Sequence, residues 1–435
     1  MGRFAKCAQF RRLAIARRMS TPFRLPIQLV AAHGLTAWLV EDHSVPVVSL
    51  SWSWPGGAAF DAPGREGTAS LAAALLTEGA GDLPAAAFTD ALRDAGIGLS
   101  FGAGRDDADG GFRCLIDALP EAERLARLAM TAPRLDQAAI ERLRARAIAG
   151  ARQSLETPRG QAGRAFWAAS FPSHPAGRPS GGTAESLAAI TPDDLRGHLG
   201  RQLRRDGLTL AAAGAIRPDD LAALLGRLFA GLPAGAPEIP PALPGFTSFG
   251  QRVVGMDSPQ SQAIFGHEGI GARDPQFEAA QIVLRIFGGG GFSSRLTESV
   301  RVKRGLTYGI GVGLDTGFGG GVLAGSVASD NGKIAEALAV TRDEWARMAA
   351  DGPTEAEMAE AVAFLTGSVA LQFTDSRRIA NTLMAMQRNG RPIDWLDGRS
   401  ERLRAISRDD AARMARRLLK PEALSVVVAG RPVGF

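Results

Sequence analysis

Two kinds of hydrophobic periodicity occur in blocks along the chain. Apolar and polar residues alternate with a period of two in LTAWLVED and VVSLSWSW, which predicts strands. Apolar residues recur at helical spacing in EGTASLAAALLTEGA, QAAIERLRARAIAGARQSL and FEAAQIVLRIFGG, which predicts helices. Because pairs of strands precede pairs of helices instead of alternating strictly with them, the pattern favours an α+β architecture with a mostly antiparallel sheet.

The second half of the chain repeats the pattern of the first. Residues 185–214 align without a gap on residues 401–430, at an offset of 216. In both copies a Thr or Ser placed to cap a helix precedes acids in the first helical turn, and an apolar strand then ends in Gly. An offset of about half the chain indicates duplication of a large unit, since solenoid repeats recur every roughly 20–50 residues.

A proline-rich stretch near the middle of the chain separates the two copies. It carries five prolines and no periodicity, which predicts an extended linker. The predicted order is a basic N-terminal arm, a first α+β half, the linker and a second α+β half: residues 1–25, 26–231, 232–246 and 247–435. The 435 residues are 45% hydrophobic, enough for a substantial core, and no window approaches the roughly 18 apolar residues of a membrane-spanning helix.

The basic charge of the chain is concentrated at its N-terminus. The pI is near 9.8, but the first forty residues hold seven Lys or Arg and no acid. Since the whole chain carries +5, the remainder sums to −2, and the sequence predicts no nucleic-acid partner. The arm is Arg-rich like a transit peptide and lacks the apolar run of a secretory signal. Localisation stays open: a soluble protein, cytoplasmic or periplasmic if bacterial.

The densest motif is FGGGGFSSRLTESVRVKRGLTYGIGVG, at residues 287–313. Its glycine run (Gly288, Gly289, Gly290 and Gly291) lacks the Lys-Ser/Thr of a phosphate-binding loop, so we interpret it as a flexible hinge loop. Ser293 or Ser294 then caps a helix that Gly305 ends. Arg301 falls in the last helical turn, and Tyr308, the only tyrosine of the chain, opens the returning strand. This reversal predicts that both side chains reach one spot, although dipole complementation by Arg and packing by Tyr are the simpler alternatives.

This motif resembles the signature of the pitrilysin/insulinase-type (inverzincin) metallopeptidases, which include the mitochondrial processing peptidase. The signature is a Gly-rich turn, SRL, Arg, a charged stretch, GL, one residue and Tyr, all present here. VEDHSVPVVSLSWSW and FPSHPAGRPSGG also match the family, and the resemblance covers roughly residues 26–432. It implies two duplicated α/β-roll halves forming half of a clam-shell chamber, with Arg301 and Tyr308 binding an extended peptide opposite a zinc site.

The zinc motif of the resembled family is replaced in this chain. Catalytic members carry H-x-x-E-H on the first long helix and a further Glu ligand on a later helix. The matching positions here are Ser70, Ala73, Ala74 and Gly150, none of which provides imidazole or carboxylate. The resemblance therefore implies that this chain binds no metal or other cofactor, hydrolyses nothing alone, and meets zinc in a partner subunit.

The remaining candidates for chemistry are few. No two of the five histidines stand at metal-ligand spacing; His198 reads as a residue of an amphipathic helix and His267 as sheet surface. Cys114 reads as a small buried hydrophobe. The resemblance favours the non-catalytic subunit of a heterodimeric zinc peptidase, with a homodimer in the absence of the partner. The alternatives are a structural scaffold and a homodimeric peptide-binding protein. Substrate and cleavage preference stay open.

Overall fold

The computed structural model describes residues 24–435, so the predicted basic arm lies outside the described residues except for its last two positions. The strands are β1 Ile27–Ala32, β2 Leu35–Glu41, β3 Val47–Pro55, β4 Gly79–Ala80, β5 Leu83–Pro84, β6 Gly98–Ala103, β7 Asp107–Leu115, β8 Thr209–Gly214, β9 Gln251–Gly255, β10 Gln260–Glu268, β11 Ile310–Asp315, β12 Val322–Asp330 and β13 Ser425–Gly430. The α-helices are α1 Thr68–Leu75, α2 Ala85–Asp94, α3 Leu119–Thr131, α4 Gln137–Leu155, α5 Pro158–Ser170, α6 Ala184–Ala189, α7 Pro192–Gln202, α8 Pro218–Phe229, α9 Phe277–Leu284, α10 Ile334–Asp351, α11 Glu355–Gly367, α12 Ser376–Arg388, α13 Arg399–Ala405 and α14 Arg408–Leu418. Two π-helices span Arg285–Gly289 and Thr297–Val302.

Two large sheets share one topology. The first runs β1-β2-β8-β3-β7-β6 and the second β9-β13-β10-β12-β11. In each sheet one pair is parallel, β2 with β8 and β9 with β13, and every other pair is antiparallel. When β1 is left out and the strands of each sheet are counted along the chain, both sheets have the strand order 1-5-2-4-3. The predicted α+β class with mostly antiparallel sheets is confirmed.

The repeated segment of the sequence folds the same way in both copies. Thr191 and Ser407 open α7 and α14 with the same capping box. The Thr191 hydroxyl accepts from the backbone N–H of Asp194 at 3.2 Å, and the Asp194 carboxylate accepts from the N–H of Thr191 at 2.8 Å. Ser407 and Asp410 repeat the exchange at 3.1 and 3.0 Å. Such caps satisfy N–H groups that a helix start otherwise leaves unpaired.

Each half lends one helix to the sheet of the other half. Helix α5 packs on β10 and β13, where Phe166 joins Val427 and Ala429 in a buried cluster. Helix α12 packs on β3 and β8, and its Leu383 lies in a cluster with Trp38. These apolar faces are covered only when both halves are folded, so the two halves are interlocked.

The proline-rich linker runs along the surface of this interlocked core. Among the described residues, those between Phe229 and Gln251 belong to no helix or strand. Phe246 anchors the linker, with its ring centroid 5.9 Å from that of Phe166 and 5.8 Å from that of Phe171. Among residues 24–435, no helix combines the length and the apolar character needed to cross a membrane.

Candidate functional site

Arg301 lies in the last turn of the π-helix Thr297–Val302, as the sequence predicts for the end of a helix. Leu296 and Val300 bury the inner face of this segment. The Ser299 hydroxyl donates a 2.6 Å hydrogen bond to the carboxylate of Glu344, a buried residue of α10. Arg301 itself is partly buried. The helix that carries it is therefore fixed by packing and by a buried hydrogen bond.

Gly305 ends this helix and reverses the chain, as predicted. Its φ of +61° lies in the left-handed region, which glycine adopts without a steric penalty. The N–H of Gly305 donates to the carbonyl of Arg301 at 2.9 Å, and that of Leu306 donates to Val300 at 3.0 Å. These bonds tie the turn to the helical end that holds Arg301.

Tyr308 lies in the turn and not in the strand, because β11 begins two residues later at Ile310. The prediction that Tyr308 opens the strand is wrong by this margin. The side chain of Tyr308 is 86% exposed, while that of the preceding Thr307 is buried. The Thr307 hydroxyl lies 2.6 Å from the carbonyl of Ala328 on β12 and accepts from the N–H of Gly309 at 3.0 Å. The phenol is thus presented outward from an anchored turn.

The two motif residues share one helix–turn–strand unit at the start of β11, which is the edge strand of the second sheet. Arg301 lies at the end of the helix, and Tyr308 lies in the turn. Direct convergence of the two side chains on one spot stays a prediction.

The glycine run is helical for part of its length, so the predicted loop is wrong at Gly288 and Gly289. Both lie in the π-helix Arg285–Gly289, and Gly291 starts a short 3₁₀ turn. A Cβ on Gly288 would lie 3.0 Å from side-chain atoms of Leu296, and one on Gly290 would lie 2.3 Å from the carbonyl oxygen of Arg285. Close packing therefore accounts for glycine at these two positions. A hinge role stays a prediction.

Three of the four positions that match the zinc motif line two neighbouring cavities. Ser70 and Ala74 line the smaller cavity and Gly150 the larger; Ala147 lies on the wall of both. The Ser70 hydroxyl donates to the carbonyl of Ser180 at 3.2 Å, while Ala73 is buried and Ala74 exposed. These residues offer one hydroxyl, already hydrogen-bonded, and do not fit a zinc ion.

Nothing elsewhere in the described part of the chain replaces that donor set. Among residues 24–435, no group of three or more His, Cys, Asp or Glu is placed to hold a metal. Cys114 is buried, as predicted, and burial raises the pKa of its thiol to about 11.

His267 corrects the sequence interpretation, because it is buried and not on the sheet surface. Its Nε2 accepts from the backbone N–H of Lys420 at 3.2 Å, and its Nδ1 lies 2.8 Å from the carbonyl of Glu268. The Trp345 ring covers it edge-on at 5.5 Å. Burial lowers the pKa of this imidazole, and the hydrogen bonds fit its neutral Nδ1–H form. These partners are distant in sequence, which periodicity cannot show.

A second buried titratable pair, His198 and Asp61, lies beside the degenerate zinc helix. The Asp61 carboxylate accepts from the N–H groups of Gly67 and Ala69 at the start of α1, at 2.8 and 2.9 Å. His198 Nδ1 lies 3.9 Å from the carboxylate and makes no hydrogen bond within residues 24–435. Burial raises the pKa of Asp61 to about 6 and lowers that of His198 to about 4. At neutral pH the histidine is therefore uncharged.

The larger cavity, of about 680 Å³, lies where the two halves meet. Its walls come from α4, α5 and residues 176–182 of the first half, with Asp315 from the second sheet. Arg105 forms an ion pair with Asp315 and stacks over the Trp167 ring at 4.2 Å. Sequence reasoning missed this cavity, since it is built from residues of both halves.

The fold has duplicated α+β halves and an Arg/Tyr reversal at a sheet edge, and the four positions that match the zinc motif offer no zinc ligand. Comparison with known proteins shows what this chain is similar to. Residues 189–365 match the family model of the peptidase M16 inactive domain, a segment that includes Arg301 and Tyr308. This segment is therefore similar to the inactive domain of the M16 peptidases, and the match confirms the resemblance seen in the sequence.

Individual relatives agree with this assignment. An uncharacterized zinc protease of Streptomyces coelicolor is 30% identical over 265 residues, which cover 58% of this chain and 56% of that protein. The non-peptidase homolog YmxG of Helicobacter pylori is 24% identical, over 76% of this chain and 77% of its own length. The chain spans about half the length of the curated relatives matched at about 30% identity.

The fold also matches a solved structure. The peptidase M16 inactive domain from Pseudomonas fluorescens superposes with a TM-score of 0.89 at 24% identity, covering 94% of this chain and 98% of that one. The family model and the name of YmxG support a non-catalytic family member.

Proposed function

We propose that this chain is the non-catalytic subunit of a heterodimeric zinc metallopeptidase. In this proposal Arg301 and Tyr308 bind and position an extended peptide opposite the zinc site of a related partner subunit. The observation that carries the proposal is the exposure of Tyr308. A phenol that is 86% exposed yet fixed by a buried Thr307 contributes little to the core of this chain, which favours a role in contacting another molecule.

The surroundings of the pair suit a peptide. β11 lies at the edge of the second sheet, and an extended peptide binds such an edge by backbone hydrogen bonds. A phenol and a guanidinium donate hydrogen bonds to peptide carbonyls and to the negative charge that develops on the oxygen of the cleaved bond. A guanidinium is charged over the whole working pH range, which suits the role of a fixed clamp.

The lack of zinc ligands at the motif positions supports a metal held by the partner. Because Ser70, Ala73, Ala74 and Gly150 do not fit zinc, hydrolysis requires a second chain that carries H-x-x-E-H. Alone, this chain should hydrolyse no peptide.

The test is reconstitution with such a partner. Peptide hydrolysis is measured for the wild type, Arg301→Ala and Tyr308→Phe, each mixed with the zinc-motif chain. Loss of one transition-state donor lowers the rate by roughly 100-fold in comparable sites, and that is the expected result for each variant. Undiminished rates in both variants, with the dimer intact, would reduce this chain to a scaffold.

A further inference from the structure

We infer that the cavity between α4, α5 and residues 176–182 binds a carboxylate carried by the peptide. This inference rests on the proposed function and deepens it by naming a substrate class: peptides with a free C-terminus or an acidic side chain. Peptide binding by Arg301 and Tyr308 does not require a carboxylate on the peptide. An experiment can therefore contradict this inference without contradicting the proposed function.

The first support is the charge of the cavity wall. Arg105, Arg164 and Arg178 reach the wall from three different segments of the first half, and Asp315 is the acid among its lining residues. The lining as described therefore carries an excess of positive charge. In a cavity with apolar walls, such an excess attracts an anion more strongly than it does on an open surface.

The three guanidinium groups differ in the hydrogen bonds and ion pairs that they already make. Arg105 pairs with Asp315 and stacks on Trp167. Arg178 donates to the carbonyl of Asp61 at 2.8 Å and lies 4.0 Å from Glu66. Arg164 is exposed and makes no hydrogen bond or ion pair with another of residues 24–435. The charge of Arg164 acts on Glu185 without a hydrogen bond, so Arg164 is the group that a ligand can engage without breaking a hydrogen bond or an ion pair.

The geometry around Arg164 fits a carboxylate on an apolar chain. Arg164 and Trp167 stand three residues apart on α5, so they share one face of the helix. The facing surface of α4 carries the small residues Ala147, Gly150 and Ser154. A Cβ on Gly150 would meet nothing within 4 Å. A volume of about 680 Å³ lies in the usual range for ligand sites. Arg binds a carboxylate through two parallel hydrogen bonds, with Trp167 as the apolar wall.

The experiment measures binding of unlabelled peptides to this chain by isothermal titration calorimetry at low ionic strength. A peptide without acidic side chains is tested with a free C-terminus and with an amidated C-terminus. A second peptide is tested with an internal Glu and with Gln in its place. The two comparisons separate the two sources of carboxylate. At least one carboxylate peptide should bind about tenfold more tightly than its neutral counterpart, the scale of one charge-assisted hydrogen bond.

Variants assign that preference to the cavity. Arg164→Gln should abolish it and Arg164→Glu should reverse it, while Arg93→Gln, an exposed arginine on α2 outside this cavity, should leave it unchanged. Equal binding of charged and neutral peptides by the wild type would overturn the inference, as would a preference that survives in Arg164→Glu. Neither result bears on the proposed function, which is tested by the hydrolysis rates of the Arg301 and Tyr308 variants.

Discussion

The hydroxyl of Thr307 lies 2.6 Å from the carbonyl oxygen of Ala328 on β12, and this contact anchors the turn that presents Tyr308. The same hydroxyl accepts from the N–H of Gly309 on the other side of the tyrosine. Tyr308 has an exposed side chain and gains little order from its own packing. Its position therefore depends on a neighbour that sequence alone does not single out.

Thr307→Val should free the turn while keeping the branched shape of the side chain. We expect a loss of about 1–3 kcal/mol in the free energy of unfolding, since buried backbone groups lose their partner. Because Tyr308 is the only tyrosine, fluorotyrosine labelling gives a single ¹⁹F resonance, and we expect that resonance to shift and broaden. Thr307→Ser keeps the hydroxyl and is the control. An unchanged resonance in Thr307→Val would contradict the anchoring role.

The buried hydrogen bond from Ser299 to Glu344 should position Arg301 in the same indirect way. Ser299→Ala removes the hydroxyl that donates to the buried Glu344 carboxylate and leaves Arg347 as its ion-pair partner, 3.2 Å away. We expect a loss of about 1–3 kcal/mol in unfolding free energy, measured by urea denaturation. The reconstituted peptidase should also lose activity. Ser293→Ala, at an exposed serine of the same segment, should change neither quantity. Full activity of a folded Ser299→Ala chain would remove Glu344 from the positioning of Arg301.

Much of this segment could be predicted from its residues. The Gly305 stop and the place of Arg301 in the last helical turn follow from local rules for helix ends, which depend on a few adjacent residues. The π-helical winding did not follow, because π-helical turns are rare, short segments that the hydrophobic pattern does not distinguish from α-helix. The exposure of Tyr308 depends on Thr307 and Ala328, which pair across 21 residues.

The exchange of helices between the two halves could not be predicted from the sequence. Periodicity identifies the apolar face of α5, but it does not say which sheet covers that face. The cavity at the junction has the same origin, since Arg105 and Asp315 are 210 residues apart. Resemblance predicts which four positions match the zinc ligands and the base, whereas the arginines around the neighbouring cavity come together only in the folded chain.

His198 and Asp61 should give opposite pH dependences that offset each other in the wild type. Asp61 has a raised pKa in the folded state, about 6 against 3.8, so its contribution to stability is lost as the pH rises from about 4 to 6. His198 has a lowered pKa, about 4 against 6.5, so its contribution is lost as the pH falls through the same range.

Single substitutions should separate the two effects. In His198→Leu the free energy of unfolding should fall as the pH rises from about 4 to 6, by up to about 3 kcal/mol. In Asp61→Asn it should rise over the same interval. Urea denaturation at several pH values measures both slopes, with the wild type as the reference. Slopes of the same sign in the two variants would contradict the assignment.

The interlocked halves should unfold as one unit. Phe166 is fully buried between α5 and the second sheet, with the rings of Phe246 and Phe249 each 5.9 Å away. Phe166→Ala should cost about 3–5 kcal/mol, and Leu383→Ala, in the reciprocal helix α12, about 2–5 kcal/mol. Each should shift one cooperative transition, because each residue holds a helix of one half on the sheet of the other. Phe364→Ala, at a half-exposed ring, should cost less than about 1 kcal/mol. Two separate transitions, with only one moved by each variant, would show that the halves are stable apart and that the exchange of helices does not couple them.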